Sequence, residues 1–358
     1  ALLADALPDD FGNALIDRYL ADKGIPKSEI TSLDRLAYMG KRAMGALEFK
    51  PTRGPKNIKP SALEMNELVL EARRAVKGTI GSDDHANATL RSIIEVGTSA
   101  GGARAKAVIA WNPETVEIRS GQVDVPEGFE HWLLKFDGIG KDRELGAGEQ
   151  YGRIEYAYHL MAKEVGIHMS ECRLLQENGR AHFMTKRFDR EQGHIKHHTQ
   201  TLCATDHLDY KKKSTNSYEQ FFMTIRQLGL GHPAEVEAFR RMAFNIMGRN
   251  CDDHTKNISF LLRQGGGWEL APAYDVTFAH NPKGEWTTQH LMSINGKYKE
   301  FTLDDLLSVA DRFGIGEASS IIEAFRKVIK HWPSFAKKAE VNQKQVDHIK
   351  RLHLLLSK

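Results

Sequence analysis

Apolar residues recur at helical spacing at the start of the chain. Within residues 5–50, one stripe follows the i, i+4, i+5, i+8, i+9 spacing of an amphipathic helix and consists of Phe11, Leu15, Ile16, Tyr19 and Leu20. A second short helix is predicted at residues 33–39 and a third at residues 61–77, with a proline-containing linker between them. The pattern therefore predicts that the chain begins with a mainly helical segment.

From about Arg91 the pattern changes to short β-branched and apolar runs separated by turns. Strands are predicted at residues 93–96, 107–111, 116–118, 132–136, 173–176 and 181–187. The last two strands flank Asn178-Gly179, a dipeptide that is a strong hairpin signal. Strands in this order predict an antiparallel sheet.

The later part of the chain is mainly helical. A helix is predicted at residues 151–164, and the polar residues 190–217 are interpreted as a loop. From Tyr218 onward helices are expected, apart from a hairpin of residues 257–262 and 268–270. We therefore expect an α+β fold with a sheet-rich N-terminal lobe and a mainly helical C-terminal lobe.

The composition is typical of a globular protein with a hydrophobic core. The 358 residues are 41% hydrophobic and 27% charged, which supports a sizeable core and argues against global disorder. No apolar run reaches the length of about 18 residues that spans a membrane. Three well-separated cysteines argue against a disulfide scaffold and a cysteine zinc site, and they fit a reducing cytosol. No secretory leader is visible, so we expect a cytoplasmic protein, although a start at Ala1 is consistent with a fragment.

The overall charge of +3 is too small to indicate nucleic-acid binding. Charge is concentrated at the end, however, since residues 321–358 contain nine Lys and Arg against three acids. Two interpretations of this basic tail stay open: a solvated helix face, and a contact with nucleic acid or an acidic partner.

A glycine-rich turn, Gly97-Thr98-Ser99-Ala100-Gly101-Gly102, follows the first predicted strand. Glycines let a backbone approach a phosphate and present N–H groups to it. The turn is not a P-loop, because Ala103 stands where that motif requires lysine. Taken alone, an ordinary β-turn explains it equally well.

Lys135 lies within the apolar strand at residues 132–136, and Glu155 follows on the helix at residues 151–164. A buried ammonium group is costly without a partner, so Lys135 either serves a function or points outward. A strand lysine paired with a helix glutamate is how protein kinases hold ATP phosphates. A plain surface position for Glu155 remains the alternative.

Asp252, Asn257 and Asp275 have the spacing of a kinase catalytic centre. Kinases place the base aspartate five residues before a metal-binding asparagine, and a second metal-binding aspartate further on. Oxygen ligands suit Mg²⁺, and an aspartate can accept the proton of an attacking hydroxyl. A metal-free hydrolase using Asp252 and Asp275 as acid and base would leave the glycine-rich turn and Lys135 unexplained.

Four stretches resemble the HipA family, namely residues 98–106, 186–190, 250–257 and 271–275. Residues 6–10 and 44–49 resemble that family's N-terminal part, so the resemblance extends from the first residues to about 280. It implies a two-lobed, protein-kinase-like fold and an ATP- and Mg²⁺-dependent serine/threonine kinase that acts as a bacterial toxin. The partners it implies are a HipB-like helix-turn-helix antitoxin, operator DNA reached through that complex, and an aminoacyl-tRNA synthetase substrate, glutamyl type as best guess.

The resemblance also implies roles for single residues. Asp252 corresponds to the catalytic aspartate, and Asn257 and Asp275 correspond to metal ligands. For Lys256 its neighbourhood favours a contact with the transferring phosphate, and a pairing with a surface carboxylate is the alternative. Ser99 corresponds to an autophosphorylated serine. The residues expected to bind ATP are Ser99, Ala100, Gly101, Gly102, Lys135, Glu155, Lys186, Phe188, His254, Asn257 and Asp275, with Glu155 assigned from kinases in general.

This chain departs from the family in two respects. It begins inside the family's N-terminal subdomain, so we expect the first strands to lie outside it or to come from another chain. Asp253 stands where the family often has glycine. The expected domains are an N-terminal subdomain at residues 1–80, an ATP-binding lobe at 81–190 and a helical lobe at 191–358.

Other functions stay open beside the kinase. The first is a kinase-shaped co-repressor that occupies operator DNA with the antitoxin, and a small-molecule kinase is another. The intact set of Lys135, Asp252, Asn257 and Asp275 favours the protein kinase. Its expected location is the cytoplasm, and the nucleoid when it is in the complex.

Overall fold

The computed structural model describes residues 2–8, 10–55, 105–122, 124–137, 150–177, 179–191 and 195–356. The chain forms two compact units. The sheet unit comprises Leu2–Asp142 and Arg173–Thr199, and the helical unit comprises Arg143–Cys172 and Gln200–Lys358. The expected α+β class is confirmed, because one unit contains a five-stranded sheet and the other most of the described helices. The three-domain division stays a prediction.

The sheet unit begins with the predicted helices. They are α1 (Leu2–Asp5), α2 (Asp10–Ala21) and α3 (Ser32–Met39), with a 3₁₀ turn at Lys27–Glu29. A capping box fixes the start of α3, since the Thr31 side chain accepts from the Asp34 N–H while the Asp34 carboxylate accepts from the Thr31 N–H. The predicted helix at 61–77 and strand at 93–96 lie outside the described residues.

The sheet has the strand order β2-β1-β3-β5-β4. Its strands are β1 (Lys106–Trp111), β2 (Ile118–Ser120), β3 (Glu130–Lys135), β4 (Cys172–Glu177) and β5 (Arg180–Lys186). The pairs β1–β2, β1–β3 and β3–β5 are antiparallel, which confirms the prediction. β2 begins later than predicted because Val116 adopts φ +61° in a turn closed by its N–H donating to the Asn112 carbonyl.

The two faces of this sheet differ in chemistry. Side chains alternate along a strand, so one face collects every second residue. On that face Ile109, Trp132 and Leu134 pack in a core with residues of α2 and α3. Lys106 and Lys135 are direct cross-strand partners. Each is adjacent in sequence to a residue of this core, Ala107 or Leu134, so both lysines belong to the opposite face of the sheet.

A buried carboxylate anchors the end of β5. Asp189 accepts from Arg187 at 2.9 and 2.6 Å, from Arg190 at 2.8 Å and from the Gly45 N–H at 2.7 Å. Burial alone would raise the pKa of Asp189, but the two guanidinium groups outweigh it and hold that pKa well below its usual range. The segment around Gly45, far away in sequence, is thereby joined to the turn after β5.

The helical unit contains the remaining helices. They are α4 (Tyr151–Glu164), α5 (Leu202–Thr205), α6 (Tyr218–Gln227), α7 (His232–Met247), α8 (Leu303–Phe313), α9 (Ala318–Lys330), α10 (Trp332–Lys338) and α11 (Gln343–Leu352). Tyr158 of α4 is fully buried, packs against Trp332 at 5.5 Å, and donates to the Gly248 carbonyl at 2.6 Å. This bond joins α4 to the end of α7.

The short strands complete the described structure. They are β6 (Arg190–Glu191), β7 (Ile195–Lys196), β8 (His198–Thr201), β9 (Asn216–Ser217), β10 (Ser259–Leu262), β11 (Trp268–Leu270) and β12 (Met292–Ser293). β10 and β11 form the predicted antiparallel hairpin, and β9 pairs with β12 in parallel. No helix in the described ranges is long and apolar enough to cross a membrane.

The prediction that residues 190–217 form a loop is wrong in part. That stretch contains β6 to β9 and α5. His197, within this predicted loop, is buried, and its Nε2 lies 2.8 Å from Glu191 Oε2. Strands of two to four mostly polar residues are too short to show an alternation of apolar and polar positions, so the pattern did not reveal them.

We expect Asp189→Asn to destabilise the sheet unit, because two buried guanidinium groups would lose their counter-charge. The free energy of unfolding should fall by about 3–5 kcal/mol. Because the folded-state pKa of Asp189 is lowered, its contribution is present near neutral pH and is lost in acid, as pH falls through that pKa. Urea unfolding at neutral pH measures the loss, with the exposed Asp124→Asn as control. Equal stability of the two variants would refute this role.

Candidate active site

The predicted catalytic loop connects α7 to β10. Gly248 follows α7 without room for a side chain, because a Cβ there would lie 2.8 Å from the Phe244 carbonyl oxygen. Arg249 then adopts φ +59° and turns the chain out of the helix. Residues 250–254 follow, and a 3₁₀ turn at Thr255–Asn257 leads into β10. Regular structure therefore fixes the loop at both ends.

Two asparagines bring the predicted residues together. Asn257 Nδ2 donates to the Asp252 carbonyl oxygen at 2.9 Å. Asn250 Nδ2 donates to Asn245 Oδ1 at 3.0 Å and to the Asp275 carbonyl oxygen at 3.4 Å. Asn250, Asn257 and Asp275 line one small pocket. The structure thus places Asn257 and Asp275 in one pocket, with the Asp252 backbone bonded to Asn257, while the roles of all three stay a prediction.

The oxygen donors in this pocket suit Mg²⁺. Asn257 uses its amide nitrogen in the bond to Asp252, so its Oδ1 can serve a cation, and Asp275 supplies a carboxylate. Mg²⁺ takes few protein ligands and completes its shell with water and phosphate oxygens. Within the described ranges, no group of three or more His, Cys, Asp and Glu could hold a metal. A two-ligand site completed by phosphates fits this donor set.

Asp252 is accessible to a partner molecule, since 49% of its side chain is exposed. His254 Nε2 lies 3.9 Å from Asp252 Oδ1. The His254 ring packs on Tyr210 at 5.4 Å, and Lys256 Nζ lies 4.9 Å from the centre of the same tyrosine ring. The predicted residues His254 and Lys256 therefore flank the predicted base.

The next residue, Asp253, is buried. Its carboxylate accepts from Tyr218 Oη, from His290 Nδ1 and from the Leu291 N–H, each at 2.8 Å. Burial alone would lower the pKa of His290, but the Asp253 carboxylate outweighs it and raises the pKa to about 10. At neutral pH the pair is therefore a buried ion pair that ties the segment after Asp275 to the catalytic loop.

Lys135 lies in the sheet unit and is buried, so the alternative of an outward-pointing lysine is wrong. Its Nζ lies 5.7 Å from the centre of the Phe183 ring. Directly opposite it on β1 stands a second buried lysine, Lys106. Like charges on directly opposed strand positions repel each other. Two buried lysines therefore occupy directly opposed positions of neighbouring strands, and the expected role of Lys135 at the ATP phosphates stays a prediction.

The segment after β5 carries Lys186 and Phe188. Lys186 Nζ pairs with Glu130 Oε1, and Phe188 is half-buried. The Asp189 anchor holds the backbone of this segment. A fixed backbone is what the expected contact with adenine requires.

Glu155 lies on α4 of the helical unit and is 2% exposed, so a plain surface position for it is wrong. Its expected pairing with Lys135 stays a prediction. The predicted turn residues Ser99, Ala100, Gly101 and Gly102 lie outside the described residues.

The sequence patterns missed Lys106, Asp253 and His290. Lys106 could have been found, because it is a second lysine directly beside an apolar strand, the one predicted at residues 107–111. For Asp253 the doubled acid at Asp252-Asp253 was visible, but no pattern tells which of two adjacent carboxylates is buried. His290 lies 37 residues after Asp253, in a stretch without periodicity.

The family model of the HipA-like C-terminal domain matches residues 98–333. The chain is also similar to a Haemophilus influenzae protein named "Putative kinase", with 25% identity over 205 residues. That match covers 49% of this chain and 60% of that protein, so it spans less than two thirds of the relative.

One solved structure shows the same fold over most of its length. A chain of the Shewanella oneidensis MR-1 complex of HipA, HipB and operator DNA matches with a TM-score of 0.68 and 17% identity, over 99% of this chain and 83% of that one. This likeness supports the expected fold class. The Helicobacter pylori proinflammatory kinase CtkA matches with a TM-score of 0.40 and 14% identity, over 63% of this chain and 88% of that one.

We expect Asp253→Asn to lower the free energy of unfolding by about 3–5 kcal/mol, because buried, protonated His290 would lose its counter-charge. The folded-state pKa of His290 is raised to about 10 from 6.5, so the pair stabilises fully below about pH 6.5 and is lost as pH rises through 10. Urea unfolding between pH 6 and 10 should show this dependence in the wild type.

The Asp253→Asn variant should flatten that pH dependence. The exposed Asp347→Asn serves as the matched control and should retain it. Identical pH profiles for the Asp253 variant and the wild type would contradict the buried ion pair.

Proposed function

Because the chain belongs to the family of HipA-like C-terminal domains, we propose that it is an ATP-dependent serine/threonine protein kinase. The observation that carries the proposal is the pocket of the helical unit. Asn257 and Asp275 line this pocket, Asn250 bonds the Asp275 backbone, and Asn257 bonds the backbone of Asp252, whose side chain is exposed. Phosphoryl transfer needs this kind of positioning more than covalent participation by the protein.

In the proposed reaction Asp252 orients the acceptor hydroxyl and takes its proton. The hydroxyl oxygen forms a bond to the γ-phosphorus as the bond to the β–γ bridging oxygen breaks, and ADP leaves. Asn257 and Asp275 would hold Mg²⁺, which neutralises the phosphate oxygens when bound. Lys256 is proposed to face the transferring phosphate.

The sheet unit is proposed to hold the nucleotide. Lys135 and its cross-strand partner Lys106 supply positive charge for the phosphates. Backbone groups at Lys186 and Phe188 would contact adenine, with the Asp189 anchor keeping that segment in place. Ser99 in the glycine-rich turn is the proposed site of autophosphorylation, since added negative charge there would oppose the ATP phosphates.

The proposed partners follow from the family and from the solved relative. The Shewanella protein was solved with HipB and operator DNA, which supports a HipB-like antitoxin for this chain and DNA contact through that complex. An aminoacyl-tRNA synthetase, glutamyl type as best guess, is the proposed substrate. We propose that the protein acts in the cytoplasm, and at the nucleoid when bound to the antitoxin. A co-repressor function without catalysis is the alternative, and the next experiment separates the two.

Asp252→Asn should lower phosphoryl transfer by at least about 10²-fold, because the base and its charge are removed. The measurement is phosphate incorporated from labelled Mg-ATP into a bacterial lysate and, by mass spectrometry, into Ser99. The exposed Asp311→Asn should behave like the wild type. Near-normal transfer by the Asp252 variant would reject Asp252 as base, and no transfer by the wild type would favour the co-repressor.

Asp275→Ala should weaken the binding of Mg-ATP, because one of two oxygen ligands is lost. Calorimetry with and without Mg²⁺ compares this variant with the wild type, and again Asp311→Asn is the control. The metal dependence of ATP affinity should be strongly reduced only in the Asp275 variant. Equal affinity for Mg-ATP in all three proteins would exclude Asp275 as a ligand.

A further inference from the structure

A basic loop lies beside the catalytic loop of the helical unit. We define it as residues 209–213, which include Tyr210 and three consecutive exposed lysines. The Tyr210 ring packs on His254, and Lys256 Nζ lies 4.9 Å from its centre. The basic loop therefore borders the exposed carboxylate of Asp252, where an acceptor hydroxyl must sit.

A second segment fixes the shape of this surface. Lys213 Nζ lies 4.3 Å from the centre of the Trp286 ring and donates to the Glu285 carbonyl at 2.6 Å. Gln289 Nε2 donates to Ser214 Oγ at 3.1 Å. Directly after these residues, β9 pairs with β12. These contacts hold the basic loop and the segment after Asp275 together as one preformed surface.

The charges of the basic loop are unevenly balanced. Lys213 lies 3.6 Å from Glu285 Oε1, and the Asp209 carboxylate accepts from the backbone N–H of Lys211. In the described part of the chain, Lys211, Lys212 and Lys256 form no ion pair, and Lys211 and Lys256 both lie against the Tyr210 ring. Because the ammonium groups of Lys211 and Lys256 lie against one aromatic ring and not against a carboxylate, an anion can bind near them.

We propose that the basic loop docks the acceptor segment of the protein substrate and selects serine or threonine sites flanked by Asp or Glu. The proposal rests on the kinase function proposed above. Carboxylates beside the acceptor would meet Lys211 and Lys212 while the hydroxyl reaches Asp252. Stacked nucleobases fit less well, because ammonium groups already lie against the Tyr210 and Trp286 rings.

The test uses the full chain and two fluorescent peptides. Each has one central serine, flanked either by Asp and Glu or by Asn and Gln at the same positions. Wild-type protein should bind the acidic peptide about five- to tenfold more tightly, as expected for two or three exposed ion pairs, and the preference should shrink with added salt. Phosphate transfer to both peptides should show the same preference in kcat/KM.

The double variant Lys211→Glu/Lys212→Glu should lose the preference in binding and in kcat/KM. The matched control Lys344→Glu/Lys350→Glu makes the same charge change at exposed positions of α11 and should keep it. No preference in the wild type, or equal loss in both variants, would overturn the proposal. Displacement of the acidic peptide by a single-stranded oligonucleotide, abolished by the Lys211/Lys212 variant, would assign the loop to nucleic acid instead.

Failure of the kinase function would look different. In that case the acidic peptide would bind with the stated preference and neither peptide would gain phosphate. Phosphorylation of both peptides at equal kcat/KM would leave the kinase function intact and reject the docking surface.

Discussion

The candidate active site depends on one buried carboxylate, that of Asp253. Removing a carboxylate from water is costly, and only dense hydrogen bonding or a counter-charge offsets the cost. Asp253 receives both, because Tyr218, Leu291 and protonated His290 all donate to it. These donors come from the start of α6 and from the segment after Asp275, so one charge fixes the position of three parts of the chain.

In the sheet unit, by contrast, two side chains of the same charge, Lys106 and Lys135, lie opposite each other. Their ammonium groups are carried by opposed positions of neighbouring strands on a buried face, an arrangement that by itself disfavours folding. Like charges at directly opposed strand positions repel each other, so their cost is offset elsewhere in the fold. The apolar face of the same strands, with Trp132 and Leu134, supplies the stability that lets the charged face persist.

Periodicity predicted those parts of the fold whose side chains repeat. The helix at residues 151–164 was predicted at its observed bounds. Of the strands of the five-stranded sheet, all but β2 differ from their predicted bounds by one or two residues at an end, whereas β2 shares only Ile118 with its prediction. The site could be predicted where fixed spacing brings residues together, as for Asp252 and Asn257, which one short turn joins. The strands within residues 190–217 could not be predicted, because their pairing depends on partners rather than on their own pattern. The role of His290 could not be predicted for the same reason, because only the folded structure brings it next to Asp253.

Asp252 and Asp253 are chemically identical neighbours with opposite environments. The side chain of Asp252 is 49% exposed, whereas that of Asp253 is 1% exposed. Because the backbone joins the two residues, the three donors that hold the Asp253 carboxylate also restrict where Asp252 can lie. A base must meet a hydroxyl from another molecule, which requires exposure, and it must be held in place, which requires burial. Here two successive carboxylates meet the two conditions separately: Asp252 is exposed to a partner molecule, and buried Asp253 holds the loop in place.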